Sequence, residues 1–294
     1  MSLLFCPLPH IGCIAVEGRD AGSFLHAQLS QDMAAANHER APLAGWHDAR
    51  GRVRAIFRVL RREDGFLLAL PAESVETTVR VLQRYVLRAE VRLAPAADAS
   101  AAALIGTAAA APAALAPLPA EPDALRTIDG LGVVAVGPEL WHAFGSGAVL
   151  DAHARELPRG TLEDAALAAI RAGMPTIGTA LAGRFVAQML NLDALGAVSF
   201  TKGCYPGQEI VARAHHLGTL KRRLRRFSAA RALAPAPGDE IVDADGTAAG
   251  EVVTAARAGD ATELLAVVQN DARDRPLFLA GAALTEQPLP YHLP

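Results

Sequence analysis

The densest run of chemically distinctive residues in the chain is the octamer KGCYPGQE, residues 202–209. Its segment Tyr205-Pro206-Gly207-Gln208 predicts a type II turn, because Pro fixes φ at the second position and Gly permits a positive φ at the third. Gly203 would let the backbone approach a neighbour closely. We therefore expect Cys204 to lie on a tight loop between an extended segment and a helix that begins at Gln208.

The residues near Cys204 favour a reactive thiol. Cations and a helix N-terminus both stabilise a thiolate, and Lys202 and Arg213 are the candidate cations. A Cys-His hydrolase would need a positioned base, and neither His215 nor His216 has a spacing that supports this role. These two histidines also form no recognised metal-ligand spacing with Cys204, so we expect no metal site. From spacing alone, however, an unreactive thiol packed at a strand end is the more common case.

The stretch from 202 to 226 is strongly basic, with seven cations and a single acid, Glu209. Such a patch would suit phosphates, RNA or the carboxylates of an acidic cofactor. It would also suit an ordinary strand whose Arg stems cover apolar surface. The net charge of the whole chain is −3, which argues against a protein that coats nucleic acid with its entire surface.

The remaining elements must position this loop. A chain of 294 residues with 51% hydrophobic residues is globular and predicts two or three domains. Beyond Lys221, short alternating segments split by Gly, Asp and Pro predict a small all-β domain, a barrel or a sandwich. The other predicted elements are a strand at 12–16, a helix capped by Asp20, a hairpin of strands 53–60 and 66–70, an amphipathic helix at 72–88, strands at 90–93, 103–106 and 131–136, a helix opened by a capping box at 161–164 and ended by Gly173, and a helix at 184–190.

Several function classes lack their motifs. The chain has neither GxxxxGK[ST] nor GxGxxG after a strand, and it has no GxSxG elbow, so phosphate-loop, dinucleotide and α/β-hydrolase sites are not expected. Three cysteines without a CxxC pair predict reduced thiols and a cytoplasmic protein. The N-terminal segment is a poor signal peptide and no apolar run is suited to span a membrane, so we expect no membrane partner.

The octamer and the following Ile-Val-Ala-Arg213 match a family signature. The chain resembles the YgfZ-type folate-binding proteins, which are relatives of the glycine cleavage T-protein, an aminomethyltransferase. Other segments match in the family's order: GRDAGSFLHAQLSQD (18–32), HDARGR (47–52), GMPTIG (173–178), QMLNLD (188–193) and GAVSF (196–200).

The resemblance implies an α+β fold, a T-protein-like cloverleaf of two α/β halves with antiparallel sheets plus a C-terminal β-barrel. The expected limits are 1–110 for the first folate-binding-type half, 111–220 for the second half with the KGCYPGQE loop, and 221–294 for the barrel. Tetrahydrofolate or another folate derivative is expected in the central space.

The resemblance also implies a function. We expect a folate-binding accessory protein in iron–sulfur cluster assembly or repair, which supports tRNA modification indirectly and has no independent turnover. Its expected partners are folate and iron–sulfur client proteins or cluster carriers, with no direct tRNA contact. Cys204 and Lys202 would form the reactive pair. The expected ligand and junction contacts are Asp32, Arg50, Tyr205, Gln208, Glu209 and Arg213.

One departure bears on the reaction. The T-protein branch carries Arg-x-Glu-Ala-Gly where this chain has Ala169-Ile170-Arg171-Ala172-Gly173, so Arg171 replaces the Glu that would pair with the pterin ring. This disfavours the first alternative, a tetrahydrofolate-dependent aminomethyltransferase. A second alternative is an RNA-binding module that uses residues 213–226.

Overall fold

The computed structural model describes residues 2–217, 220–272 and 275–294, except for the side chains of residues 216 and 217. The helices in this part of the chain are α1 (Ala21–Gln28), α2 (Ala72–Leu82), α3 (Gly147–Ala154), α4 (Leu162–Arg171) and α5 (Gln208–Leu217). The strands are β1 (Leu4–Pro7), β2 (Ile11–Glu17), β3 (Leu43–His47), β4 (Val53–Arg62), β5 (Gly65–Pro71), β6 (Arg92–Pro95), β7 (Ala99–Ile105), β8 (Leu125–Ile128), β9 (Leu131–Gly137), β10 (Leu140–Ser146), β11 (Arg222–Ala229), β12 (Glu240–Asp243), β13 (Ala248–Ala258), β14 (Ala261–Gln269), β15 (Leu277–Leu279) and β16 (Ala282–Gln287). None of the described helices combines the length and apolar composition needed to cross a bilayer.

The first sheet has the antiparallel order β3-β4-β5-β2-β6. One face packs against α1 and α2, and the opposite face joins the core that runs between the sheets and reaches the barrel. Because both faces are covered, the middle of β5, Phe66–Leu70, is apolar at every position instead of alternating with polar residues. The predicted hairpin of β4 and β5 is present.

The second sheet has the order β1-β7-β10-β9-β8 and is also antiparallel. Two of its strands, β1 and β7, precede residue 110, so the two α/β units share the N-terminal part of the chain and a cut at 110 would divide this sheet. The sequence motif of β1, LFCP, is too short to show its partner. The limits 1–110, 111–220 and 221–294 therefore describe the order of the units along the chain better than the membership of their strands.

The C-terminal unit is a closed barrel of the six strands β11-β14-β13-β12-β15-β16. Closure pairs the strand edges that would otherwise expose backbone donors and acceptors. Strand β14, which pairs with β11 and β13, is buried from Thr262 to Val268 because its side chains pack on both the barrel interior and α4.

The helix ends predicted from capping residues agree with the structure for α4, and two other predicted helices are shorter than expected. Thr161 and Asp164 form the predicted capping box, and Gly173 follows the helix with φ of 67°. The predicted helix at 72–88 ends at Leu82 and continues only as a 3-10 turn to Tyr85, because Gln83 turns to donate a hydrogen bond to the Leu93 carbonyl. The predicted helix at 184–190 is reduced to a 3-10 turn from Ala187, since Val186 pairs with Arg52 as a β-bridge.

Buried polar contacts join the barrel to the second α/β unit. Arg223 of β11 forms a two-fold hydrogen-bonded ion pair with Asp193, at 2.8 and 3.2 Å, and also donates to the side-chain oxygen of Asn191 at 3.1 Å. The Tyr291 hydroxyl donates to the Gly173 carbonyl at 2.8 Å, which returns the C-terminal segment to the end of α4. These bonds fix the barrel against QMLNLD (188–193), one of the segments that carry the family resemblance.

Candidate functional site

The loop that carries Cys204 has the predicted turn. The Gln208 amide donates to the Tyr205 carbonyl at 3.3 Å, and Gly207 has φ of 78°, as the third position of a type II turn requires. Helix α5 begins at Gln208, also as predicted. The Tyr205 amide donates to the side-chain oxygen of Gln208 at 3.2 Å, so this glutamine stabilises its own turn instead of bridging the domains.

The turn rests directly on the first α/β unit, backbone against backbone. A Cβ on Gly207 would lie 2.6 Å from the Gly51 Cα and would also overlap the Asp48 carbonyl. Gly51 in turn has φ of 69° and faces Ile210 of α5. The glycine that permits the close approach is therefore Gly207, whereas a Cβ on Gly203 would make only an ordinary contact, 3.5 Å from the His26 Nε2.

Lys202 ties the same loop to the end of α1. Its Nζ donates to the carbonyls of His26 and Leu29, the latter at 2.6 Å. The C-terminal end of a helix carries unpaired carbonyls and partial negative charge, which attract a cation. Burial lowers the pKa of Lys202 to about 8, while the charges of Asp32 and Cys204 oppose this shift.

Tyr205 is buried between Lys202 and a histidine that the sequence did not single out. The Lys202 Nζ lies 5.0 Å from the Tyr205 ring centroid, and the His47 ring meets Tyr205 edge-on at 5.8 Å. Neither ring nitrogen of His47 has a hydrogen-bond partner in the described part of the chain. Burial lowers the pKa of His47 to about 4, against a smaller opposing effect from Asp48, so the imidazole is neutral at pH 7. His47 is the first residue of HDARGR, and only that match drew attention to its surroundings.

Cys204 is exposed, and the other two cysteines are buried. Burial raises the pKa of both Cys6 and Cys13 to about 11, so these two thiols stay protonated at neutral pH. Cys204 is therefore an accessible thiol, and the alternative of a thiol packed at a strand end does not fit its exposure.

Asp32 lies on the Lys202 side of the loop, but its carboxylate is already engaged. Its Oδ1 accepts a hydrogen bond from the Ala34 amide at 2.9 Å and lies 3.3 Å from the His26 Nδ1. His26 is a second residue that sequence reasoning missed. Its Nε2 is directed towards Gly203, because the Asp32 carboxylate holds the other ring nitrogen. Only the three-dimensional approach of α1 to the loop reveals this arrangement.

The structure spreads the remaining predicted contacts over the surface around the loop. Arg50 is exposed on the turn that supports Gly207, where its amide donates to the Asp48 carboxylate at 2.9 Å. Glu209 and Arg213 are exposed on α5, and neither makes a side-chain hydrogen bond or ion pair within the described residues. His215 stacks on Phe200, with ring centroids 3.8 Å apart, and the side chain of His216 lies outside the described residues.

Most of the basic segment is neutralised by ion pairs in β11. Arg223 pairs with Asp193, Arg225 with Glu286 at 3.0 Å, and Arg226 with Glu263 at 2.8 Å. Glu263 also accepts hydrogen bonds from Arg171 at 2.6 and 3.0 Å. Arg171, which stands where the resemblance would place a pterin-binding Glu, thus joins α4 to the barrel.

A cavity of about 400 Å³ lies between the two α/β units, and a smaller one of about 80 Å³ adjoins it. The larger cavity is walled by apolar side chains and by a buried ion pair between Arg58 and Asp123. The Nε of Arg58 has no hydrogen-bond partner among the described residues. Cys204 does not line either cavity, and neither do the other predicted contact residues Asp32, Lys202, Arg50, Tyr205, Gln208, Glu209 and Arg213. We expected the thiol and the ligand contacts to share one cavity, and the residues that line these two cavities do not agree with that expectation.

Known proteins identify the family of the chain. No protein-family model matches it. It is 31% identical over 303 residues to the tRNA-modifying protein YgfZ of Cronobacter sakazakii, a match that covers 95% of this chain and 90% of that protein. The chain belongs to the YgfZ family. The YgfZ protein of Klebsiella pneumoniae is 30% identical, with the same two coverages.

A solved structure shows the fold of this YgfZ family member. The glycine cleavage system aminomethyltransferase T from Bartonella henselae superimposes with a TM-score of 0.73, covering 98% of this chain and 86% of that one, at 16% identity. This similarity, the antiparallel sheets and the closed barrel confirm the predicted α+β, T-protein-like architecture.

We expect Gly207→Ala to lower the thermal midpoint much more than Gly246→Ala. Both glycines have φ of 78°, but a Cβ on Gly246 would meet no atom within 4 Å. The Gly246 substitution therefore costs only the left-handed backbone, about 1–2 kcal/mol. Overlap with the 48–51 turn adds about 1–3 kcal/mol at Gly207. Scanning calorimetry of the two variants measures the difference, and equal midpoints would contradict the close packing.

His47 should make the protein sensitive to mild acid. Its pKa is lower in the folded state than in the unfolded chain, so the unfolded state binds more protons between about pH 4 and 6.5. The free energy of unfolding therefore falls as the pH is lowered through this window, by up to about 3 kcal/mol from this group. Denaturant unfolding at pH 7 and pH 4.5 should show a smaller loss for His47→Gln than for the wild type. Parallel pH profiles would show that His47 does not titrate this way.

Proposed function

We propose that this protein is a folate-binding accessory protein of iron–sulfur cluster assembly or repair that supports tRNA modification. Its relatives in the YgfZ family are named tRNA-modifying proteins, and its fold is that of an aminomethyltransferase. The observation that carries the proposal is the presence of two separate features in one fold. One is an exposed Cys204 on a clamped loop, and the other is a central cavity lined by the Arg58–Asp123 ion pair.

The central cavity fits a folate derivative in size and chemistry. Its volume of about 400 Å³ lies in the range common for ligand sites, about 300–1,000 Å³. Arg58 lines the cavity, and Asp123 holds its guanidinium in place; such a group suits an anionic or carbonyl oxygen. Leu43, Val136 and Met174 add an apolar wall beside it. A bound tetrahydrofolate derivative would supply a carrier for one-carbon units.

Cys204 acts outside this cavity. Because the thiol is exposed and the cavity is lined by other residues, a protein surface or a cluster carrier can reach it more directly than a folate in the cavity. This favours transient contact with a cluster or sulfur species over reaction with a folate-borne one-carbon unit. Lys202 holds the loop against α1, and Tyr205 packs beneath it.

The contacts of Arg171 and of β11 support neither aminomethyl transfer nor RNA binding by residues 213–226. Aminomethyl transfer would use a carboxylate at position 171, and the arginine found there is committed to Glu263. RNA binding by residues 213–226 would use the arginines of β11, which are paired with acids.

Removing the charge pair from the central cavity should weaken folate binding. We expect Arg58→Gln/Asp123→Asn, which leaves no unpaired buried charge, to bind 5-formyltetrahydrofolate about 10- to 100-fold more weakly than the wild type, since a hydrogen bond to a charged group contributes about 1.5–3 kcal/mol. Titration calorimetry measures the affinity. The matched control is Arg61→Gln, on the same strand but outside the cavity, which should bind like the wild type. An unchanged affinity of the double variant would place the ligand elsewhere.

Replacing the exposed thiol should abolish function in cells. In a strain that lacks the gene, Cys204→Ser is expected to restore neither the activity of [4Fe–4S] enzymes under oxidative stress nor the thio-modified tRNA fraction. Cys13→Ala removes a buried thiol and should restore both. Full rescue by Cys204→Ser, at equal protein level, would refute the role of the thiol.

A further inference from the structure

A second basic surface, on the first α/β unit, has cations that are not paired with acids in the described part of the chain. It lies where α2 ends and the chain turns towards β6, and we call it the 80–88 patch. It consists of Arg80, Arg84, Tyr85, Leu87 and Arg88. Within residues 2–217, 220–272 and 275–294, none of its three arginines makes an ion pair or a side-chain hydrogen bond. The nearest acid along the chain, Glu90, is paired with Arg19 at 3.0 Å.

The patch also exposes large apolar side chains. Leu87 is 87% exposed and Tyr85 is 50% exposed, which makes Leu87 the most exposed of the large hydrophobic residues described. Burying such side chains is favourable by about 1.5–3 kcal/mol each, so their exposure beside free arginines is typical of a surface that a partner covers.

This exposure is imposed by tethers on both sides of the bend. The Gln83 side chain donates to the Leu93 carbonyl at 3.2 Å, and the Glu90 amide donates to the Asp20 carboxylate at 2.8 Å. Buried Leu82 and Leu93 anchor the flanking segments. The patch is therefore pre-organised, and its side chains face solvent because the backbone is held in place.

Helix α1 connects the segment beside the patch to the loop that carries Cys204. Asp20, which precedes α1, binds the Glu90 amide beside the patch, and the carbonyls of His26 and Leu29 at the other end bind Lys202. An eight-residue helix is about 12 Å long. A partner bound to the patch would therefore lie close to the exposed thiol.

We infer that the 80–88 patch binds an unpaired stretch of a tRNA, such as a loop or the 3′ end. This inference rests on the proposed role in tRNA modification. Guanidinium groups contact phosphates through paired hydrogen bonds, and an exposed tyrosine offers a face on which a base stacks. The direct RNA contact is thus assigned to the 80–88 patch and not to residues 213–226.

The test is equilibrium binding of a fluorescently labelled tRNA transcript, measured by anisotropy from 50 to 200 mM KCl. The triple variant Arg80→Gln/Arg84→Gln/Arg88→Gln should bind at least about 10-fold more weakly, and the slope of log affinity against log salt should fall by about 2, since each phosphate contact on a single strand contributes about 0.7. Tyr85→Ala should weaken binding about 10-fold, and Tyr85→Phe should bind like the wild type because stacking is retained.

A matched triple variant removes equal charge elsewhere. Arg155→Gln/Arg231→Gln/Arg257→Gln changes exposed arginines of the second unit and the barrel and should keep wild-type affinity. Wild-type affinity in the patch triple variant, or an equal loss in the matched triple variant, would overturn the inference. So would loss of function in cells with unchanged tRNA binding, which would point to a protein partner.

The patch triple variant should bind 5-formyltetrahydrofolate normally, because the patch lies outside the central cavity. Failure of the folate proposal and failure of this one are therefore measured by separate titrations.

Discussion

The ammonium group of Lys202 ties the loop that carries Cys204 to the body of the protein. Lys202 reaches across the domain boundary to the carbonyls that end α1, where helix geometry leaves them without intrahelical donors. Burial lowers its pKa to about 8, so Lys202 is still mostly charged at pH 7 when it donates to these carbonyls. Gly207 completes the clamp by letting two backbones touch. The position of Cys204 is consequently set by the first α/β unit, although the loop belongs to a later part of the chain.

The fold separates its two candidate functions in space. The cavity between the sheets is lined by apolar side chains around Arg58, whereas the thiol faces solvent on an outer loop. An aminomethyltransferase would bring the folate and the reacting group of its substrate together. A protein that senses a folate in its interior and presents a thiol outside can instead link the two by the packing between them.

Local sequence patterns predicted local structure well. The type II turn, the capping box at Thr161 and the β4–β5 hairpin each follow from a few adjacent residues, and the structure has all three. Contacts between distant segments were beyond such patterns. Nothing adjacent to His26 shows that it faces Gly203, and nothing in the basic run shows that Arg223 finds Asp193. The family resemblance supplied the fold and drew attention to Cys204, but it did not show the separation of the thiol from the cavity.

The strand order of the second sheet has a consequence for synthesis on the ribosome. β1 pairs with β7, about a hundred residues further along the chain. At translation rates of about 5–20 residues per second, β1 waits roughly 5 to 20 s for its partner to emerge. During that interval its apolar residues Leu4 and Phe5 have no sheet to join. The N-terminal segment of the nascent chain is therefore an unpaired apolar strand. Binding by a chaperone, or early packing against the first unit, must protect it from aggregation until the second unit can form.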